Sequence, residues 1–122
     1  MKSTRALKSA LLSAVLLCAA VAAANLTGAA HPSIDIVAAN WKFTPNAITV
    51  PVGEPTTLRL TSSAGVHGLK SDELGIADTI IVPNKFVTVT FTPHKAGVYV
   101  LHCSVLCGAG HPNMTLTITV QK

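Results

Sequence analysis

The chain has 122 residues, nine Lys and Arg against five Asp and Glu, and a formal charge of +4. That length holds a single domain. Three of the cations (Lys2, Arg5, Lys8) stand at the very start, and nothing after them forms the basic stripe that a nucleic-acid partner requires, so that class is excluded.

Those three cations precede an apolar run of small residues and leucines, Ala10 to Ala24, that closes on Ala22-x-Ala24. A positive head, an apolar middle and a small-residue cut predict a cleavable helical signal peptide over 1–24, with an alternative cut after Ala30. The run is shorter than the roughly 20 residues a spanning helix needs, so membrane contact is expected only through an uncleaved leader or a partner complex. Cys18 reads as an ordinary apolar member of this run. The expected location is the periplasm or the outer face of the cytoplasmic membrane. Cleavage leaves six cations against five acids, a mature charge of +1.

Residues 25–33 are polar and small, and read as a flexible mature N-terminus before a domain over 34–122. From there the apolar pattern has period two. Strands are expected at Ile34–Ala38, Ala47–Val52, Thr56–Thr61, Thr79–Val82, Phe86–Phe91, Val98–His102 and Thr115–Val120. They are rich in Val, Ile and Thr, which suit a pleated, half-buried surface. Pro and Gly punctuate them at Pro45, Gly53, Pro55, Pro83, Pro93 and Gly97. The expected fold is all-β, a single antiparallel Greek-key β-sandwich. Trp41 and Phe43, two residues apart, are expected to share one face and pack in the core.

The chemistry is concentrated in the last connection, Cys103-Ser-Val-Leu-Cys107-Gly-Ala-Gly-His111-Pro-Asn-Met114, spaced C-x3-C-x3-H-x2-M. Thiolate and thioether are soft donors that suit copper, and imidazole suits it as well. One Cys with His and a weak Met describes a mononuclear copper site, whereas a second Cys lets two thiolates bridge two ions. Two competing readings stand beside it. Cys103 and Cys107 in an exported protein can form a disulfide, and Cys103, Cys107, His111 and His67 together make a tetrahedral zinc set. Met114 favours copper, being a poor ligand for zinc. His67, in the glycine-flanked Gly65-Val66-His67-Gly68, is the best second imidazole and is expected in a loop between Ser62 and Asp78. His102 is expected to point away from the site and His94 into solvent. Leu69, Val105, Leu106 and Ala109 are expected to shield the metal from water.

With these residues in view the chain resembles a cupredoxin, and more narrowly the CuA domain of cytochrome c oxidase subunit II and of nitrous oxide reductase. The resemblance runs from about Ile34 to Val120, carried by Trp41-Lys-Phe43-Thr-Pro45, Val66-His67-Gly68, Gly97-Val-Tyr99 and, above all, the Cys103–Met114 segment. It implies that Cys103 and Cys107 bridge two coppers, that His67 and His111 cap one each, and that Met114 and the Val105 carbonyl are weak ligands. It also implies a carrier of single electrons, not an enzyme, with a c-type cytochrome or a haem-copper oxidase as partner. Copper delivery, storage or resistance, served by a copper chaperone, and a role as an accessory subunit of an oxidase are the alternatives. The family's oxidase members carry Glu where Val105 stands, so the magnesium link to a catalytic subunit is not expected. The transmembrane hairpin and the acidic docking surface of those subunits have no counterpart in the residues read.

Overall fold

A computed structural model of the protein describes residues 30–122. The predicted leader helix, Cys18 and residues 25–29 lie outside the described residues.

Among the described residues, nine strands and one 3-10 turn account for the regular structure: β1 Ser33–Ala39, β2 Lys42–Thr44, β3 Ala47–Pro51, β4 Thr56–Ser62, β5 His67–Ser71, β6 Ile76–Ile81, β7 Val87–Phe91, β8 Gly97–His102, the 3-10 turn His111–Asn113, and β9 Thr115–Gln121. They form a four-stranded sheet in the order β2-β1-β4-β7, a three-stranded sheet β3-β9-β8, and the pair β5-β6.

Period-two patterning produces the core directly. Along β4, Thr56, Leu58, Leu60 and Ser62 turn inward, and along β9 Leu116, Ile118 and Val120 do the same. Ile36, Phe43, Ile48 and Val50 fill the space between these strands. Burying each such side chain contributes about 1.5–3 kcal/mol, so the sandwich is a rigid frame on which loops can be held.

The expectation of a purely antiparallel sandwich is overturned by two pairings. β1 runs parallel to β4, with Ile34 beside Leu58 and Ile36 beside Leu60. β3 runs parallel to β9, with Ile48 beside Ile118 and Val50 beside Val120. Alternation records which face of a strand is buried and is indifferent to the direction of its neighbour. Strand direction follows instead from the crossovers that return the chain to the far side of each sheet. The pairs β1-β2, β4-β7, β5-β6 and β8-β9 are antiparallel.

Two strands differ from the sequence expectation altogether. Lys42–Thr44 is a three-residue strand in a stretch that carries no strand signal, and His67–Ser71 is a strand in place of the expected loop. Among the described residues no helix is long and apolar enough to cross a membrane.

Candidate metal centre

The candidate ligands meet where β5 begins and β8 ends. The strand β8 leads out of the sheet at His102, whose partner Thr115 opens β9. The connection between these two strands is therefore pinched shut at its neck, where Cys103 N–H donates to Met114 O at 3.0 Å. Leu69 of β5 bridges to Cys103, and Ser104 N–H donates to Gly68 O at 3.1 Å, so β5 lies alongside the first residues of the connection.

Gly68 is what permits that approach. A Cβ there would collide with Ser104 Oγ and stand 2.9 Å from Val105 Cγ2. Farther along, His111 N–H donates to Gly108 O at 3.1 Å and Met114 N–H to His111 O at 3.2 Å, winding the 3-10 turn that brings the second half of the connection back toward Cys107. Pro112 sits at the start of this turn, where its missing N–H removes nothing.

The donor atoms of His67, Cys103 and Cys107 all lie within 4.8 Å of one another. His67 Nδ1 is 3.9 Å from Cys103 Sγ. On the other side, Cys107 Sγ is 3.6 Å from His111 Nδ1 and 3.8 Å from Met114 Sδ. The Val105 carbonyl lies 3.2 Å from Cys103 Sγ and accepts from its thiol. The close cluster is His67, Cys103 and Cys107. Val105 O lies beside Cys103, whereas His111 and Met114 lie beside Cys107 and outside that trio. His67 and Met114 are fully buried and Cys103 is 3% exposed.

Local hydrogen bonding fixes how His67 presents itself. Its Nε2 lies 2.7 Å from Ala64 O, and a carbonyl only accepts, so Nε2 carries the proton and Nδ1 keeps its lone pair toward Cys103. The Ala64 carbonyl is itself held in place. Ser62 Oγ donates to Gly65 O at 2.6 Å and accepts from Ala64 N–H at 3.2 Å, a turn that needs Gly65 at φ +78°. Ser63 N–H then ties the turn to Ala38 O of β1. A ligand imidazole oriented through its other nitrogen is the usual way a protein sets a metal site.

Cys103 and Cys107 are both free thiols, so the disulfide reading is not realised in this structure. Burial pushes the Cys107 thiol up, and Cys103 raises it further through a hydrogen bond and its charge. A soft cation that binds both sulfurs removes that mutual penalty and displaces the protons. Two thiols, a thioether and imidazole nitrogens together are a donor set that fits copper.

The residues expected to shield the site do so unequally. Leu69 is fully buried and Val105 partly so, but Leu106 is 85% exposed and Ala109 also faces solvent. His102 and His94 are exposed, as their positions suggest.

One contact was not legible in the sequence. Trp41, expected in the core with Phe43, is 41% exposed, whereas Phe43 is buried. The indole Nε1–H donates to Cys107 O at 3.0 Å instead. Strand alternation stops at the turn before β2, so the spacing of two carries no face relation across it.

The chain matches the cupredoxin-like domain family over residues 9–119. It is 31% identical over 96 residues to cytochrome c oxidase subunit 2 of Thermus thermophilus, covering 79% of this chain and 70% of that protein. Against the subunit 2 of a second strain of that species it is again 31% identical, and spans 56% of that relative's length. In structure it resembles the periplasmic domain of subunit II of cytochrome oxidase of Bradyrhizobium japonicum, with a TM-score of 0.68 and 20% identity over 75% of this chain and 84% of that one. The "blue" copper protein auracyanin A of Chloroflexus aurantiacus has the same fold, with a TM-score of 0.59 and 21% identity over 75% of this chain and all of that one. The chain belongs to the cupredoxin-like domain family and, within it, is a relative of cytochrome c oxidase subunit 2.

Proposed function

We propose that this protein is an exported copper-binding cupredoxin that performs no catalysis of its own and holds copper at His67, Cys103 and Cys107, with Met114 beside them. One observation carries the reading: three soft or borderline donor atoms within 4.8 Å of one another at the end of a rigid sandwich. The trio is enough for one copper, and that alone serves copper delivery, storage or resistance in the cell envelope. A bound copper supplies a one-electron couple between its two common oxidation states. His67 opens β5 and Cys103 follows β8 directly, so two of the three donors are placed by the sheets, and well-placed donors keep rearrangement between the two states small.

A second reading is favoured by the way the remaining donors divide. Val105 O and His67 flank Cys103, whereas His111 and Met114 flank Cys107. Two coppers bridged by both thiolates, each with its own imidazole, would use every one of them and share the odd electron. Such a CuA-like centre would pass single electrons in a respiratory chain, with a redox protein such as a c-type cytochrome or a haem-copper oxidase as partner, as the relation to oxidase subunit 2 suggests.

Copper stoichiometry and electron paramagnetic resonance on the exported protein separate these readings. One copper with a four-line signal supports the single-ion site, and ready loss of that copper to a Cu(I) chelator supports delivery. Two coppers with one electron spread over both nuclei support the binuclear carrier. No bound copper at all overturns both.

A further inference from the structure

We propose that Trp41 is a positioning residue of the metal centre: its indole, seated on Gly108 and Gly110 and bonded to the Cys107 carbonyl, sets the spacing between the Cys107 sulfur and the His111 imidazole. This rests on the copper reading for its consequence, but its geometry belongs to the chain alone.

The stretch from Ser104 to Gly110 is held at its first half, where Ser104 Oγ donates to Asp78 Oδ1 and Val105 and Cys107 pack partly against the core, and less beyond Cys107. Leu106 and Ala109 point into solvent and pack on nothing in the core, and Ser104 is itself exposed. The backbone bond from Ser104 N–H to Gly68 O secures its start, and that from His111 N–H to Gly108 O its end. Between these anchors the Cys107 carbonyl is engaged by Trp41 Nε1–H at 3.0 Å, a partner 66 residues away in sequence.

The ring does more than donate. A Cβ on Gly108 would stand 2.8 Å from Trp41 Nε1, and one on Gly110 would stand 2.5 Å from Trp41 Cβ and Cδ2. The two glycines therefore let the indole lie against the bare backbone of the ligand loop. Gly108 also has φ +124°, a conformation that side chains resist. The glycine spacing of Cys107-Gly108-Ala109-Gly110-His111 is thus explained by an aromatic ring that comes from a different part of the chain.

Trp41 is well placed to act as a fixed reference. It stands in the turn between β1 and β2, whose pairing closes at Ala39 and Lys42, and β1 lies inside the four-stranded sheet beside β4. The same turn reaches the other half of the site: Asn40 Oδ1 is 2.7 Å from where a Gly65 Cβ would be, beside the Ala64 carbonyl that orients His67. One ligand-free turn therefore abuts both segments that carry imidazoles.

Two variants test the proposal, with Trp41→Ala as the reference for complete loss of the ring. Trp41→Phe keeps a smaller aromatic ring near the glycines and removes the N–H together with part of the indole's contact on them; Gly110→Ala keeps the indole and removes its seat. In the metal-free protein, the amides of Gly108 to His111 should exchange faster with solvent in both, on the order of fivefold in Trp41→Phe for the loss of one ordinary hydrogen bond, while β4 and β9 amides stay at wild-type rates. In the copper-loaded protein, the sulfur-to-copper absorption and the copper release rate should both change, with rescue toward wild type in Trp41→Phe relative to Trp41→Ala. Wild-type loop exchange and wild-type copper spectra in both Trp41→Phe and Gly110→Ala would overturn it. A wild-type protein that takes up no copper would sink the copper reading, and the metal-free exchange would still decide whether Trp41 holds the loop.

Discussion

Ser104 Oγ donates to Asp78 Oδ1 at 2.7 Å, tying the residue after the first cysteine to β6 on the far side of β5. Both side chains are exposed. The bond is charge-assisted, but water competes for both ends, which reduces its net contribution to about 1 kcal/mol. Asp78→Ala is expected to lower unfolding stability by no more than that while accelerating copper release, because the loop loses a tether without the core losing a contact. Denaturant unfolding and chelator competition measure the two effects separately. A large stability loss with unchanged release would mean that Asp78 serves the fold and not the loop.

Gly68→Ala should be far more damaging than an added methyl group on a surface strand. Its Cβ meets Ser104 Oγ and Val105 Cγ2, so both side chains must turn away and the Ser104 Oγ bond to Asp78 is lost or the loop shifts. The expected cost is about 1–3 kcal/mol, the usual range for overpacking. Copper affinity should fall with it, since Cys103 moves. Unfolding and metal titration of the same variant check both, and a wild-type titration would show that the loop adjusts freely.

Met114→Leu separates packing from coordination at that position. The side chain is fully buried and its Sδ stands 3.8 Å from Cys107 Sγ. Leucine conserves the volume, so stability should change by less than about 1.5 kcal/mol. A shifted reduction potential and copper spectrum are nonetheless expected if the thioether touches the metal. An unchanged spectrum would assign Met114 to packing alone.

The pH dependence follows from Cys107, whose thiol is held above its ordinary value by burial first and Cys103 second. Its folded pKa exceeds its unfolded one, so its contribution to stability is fully present below the ordinary thiol value of about 8.5 and is lost as pH rises through the raised folded value. The metal-free protein should therefore melt at a lower temperature as the solution is made alkaline. Copper affinity should move the opposite way, strengthening with pH as proton competition for the sulfurs falls. Thermal melts and copper titrations across that window test both signs, and an affinity independent of pH would mean that no thiol proton leaves on binding.

The candidate segment was legible as a cluster because its residues are local: Cys103, Cys107, His111 and Met114 stand close together in sequence, and their donor types alone suggest copper. His67 was found by the same logic, but its setting was not. His-Gly-Leu-Lys-Ser lacks the β-branched alternation that marks a strand, and β5 exists because β6 and the edge of Cys103 supply its partners. Lys42–Thr44 was missed for its three-residue length. The parallel pairings of β1 with β4 and β3 with β9 were invisible for a different reason, since burial patterns carry no arrow. Trp41 was misplaced because its partner, the Cys107 carbonyl, is a backbone atom with no sequence signature.

The neck formed by His102, Thr115 and the Cys103 to Met114 bond has an engineering consequence. Nearly all the proposed coordination chemistry is carried on one excursion from adjacent antiparallel strands, while the buried rows of β4 and β9 lie outside it. Cofactor choice and foundation are thus encoded in separable stretches of this sequence. A foreign segment of equal span, ended by the same two residues, should convert the metal preference of the protein while leaving the sandwich beneath it to fold as before.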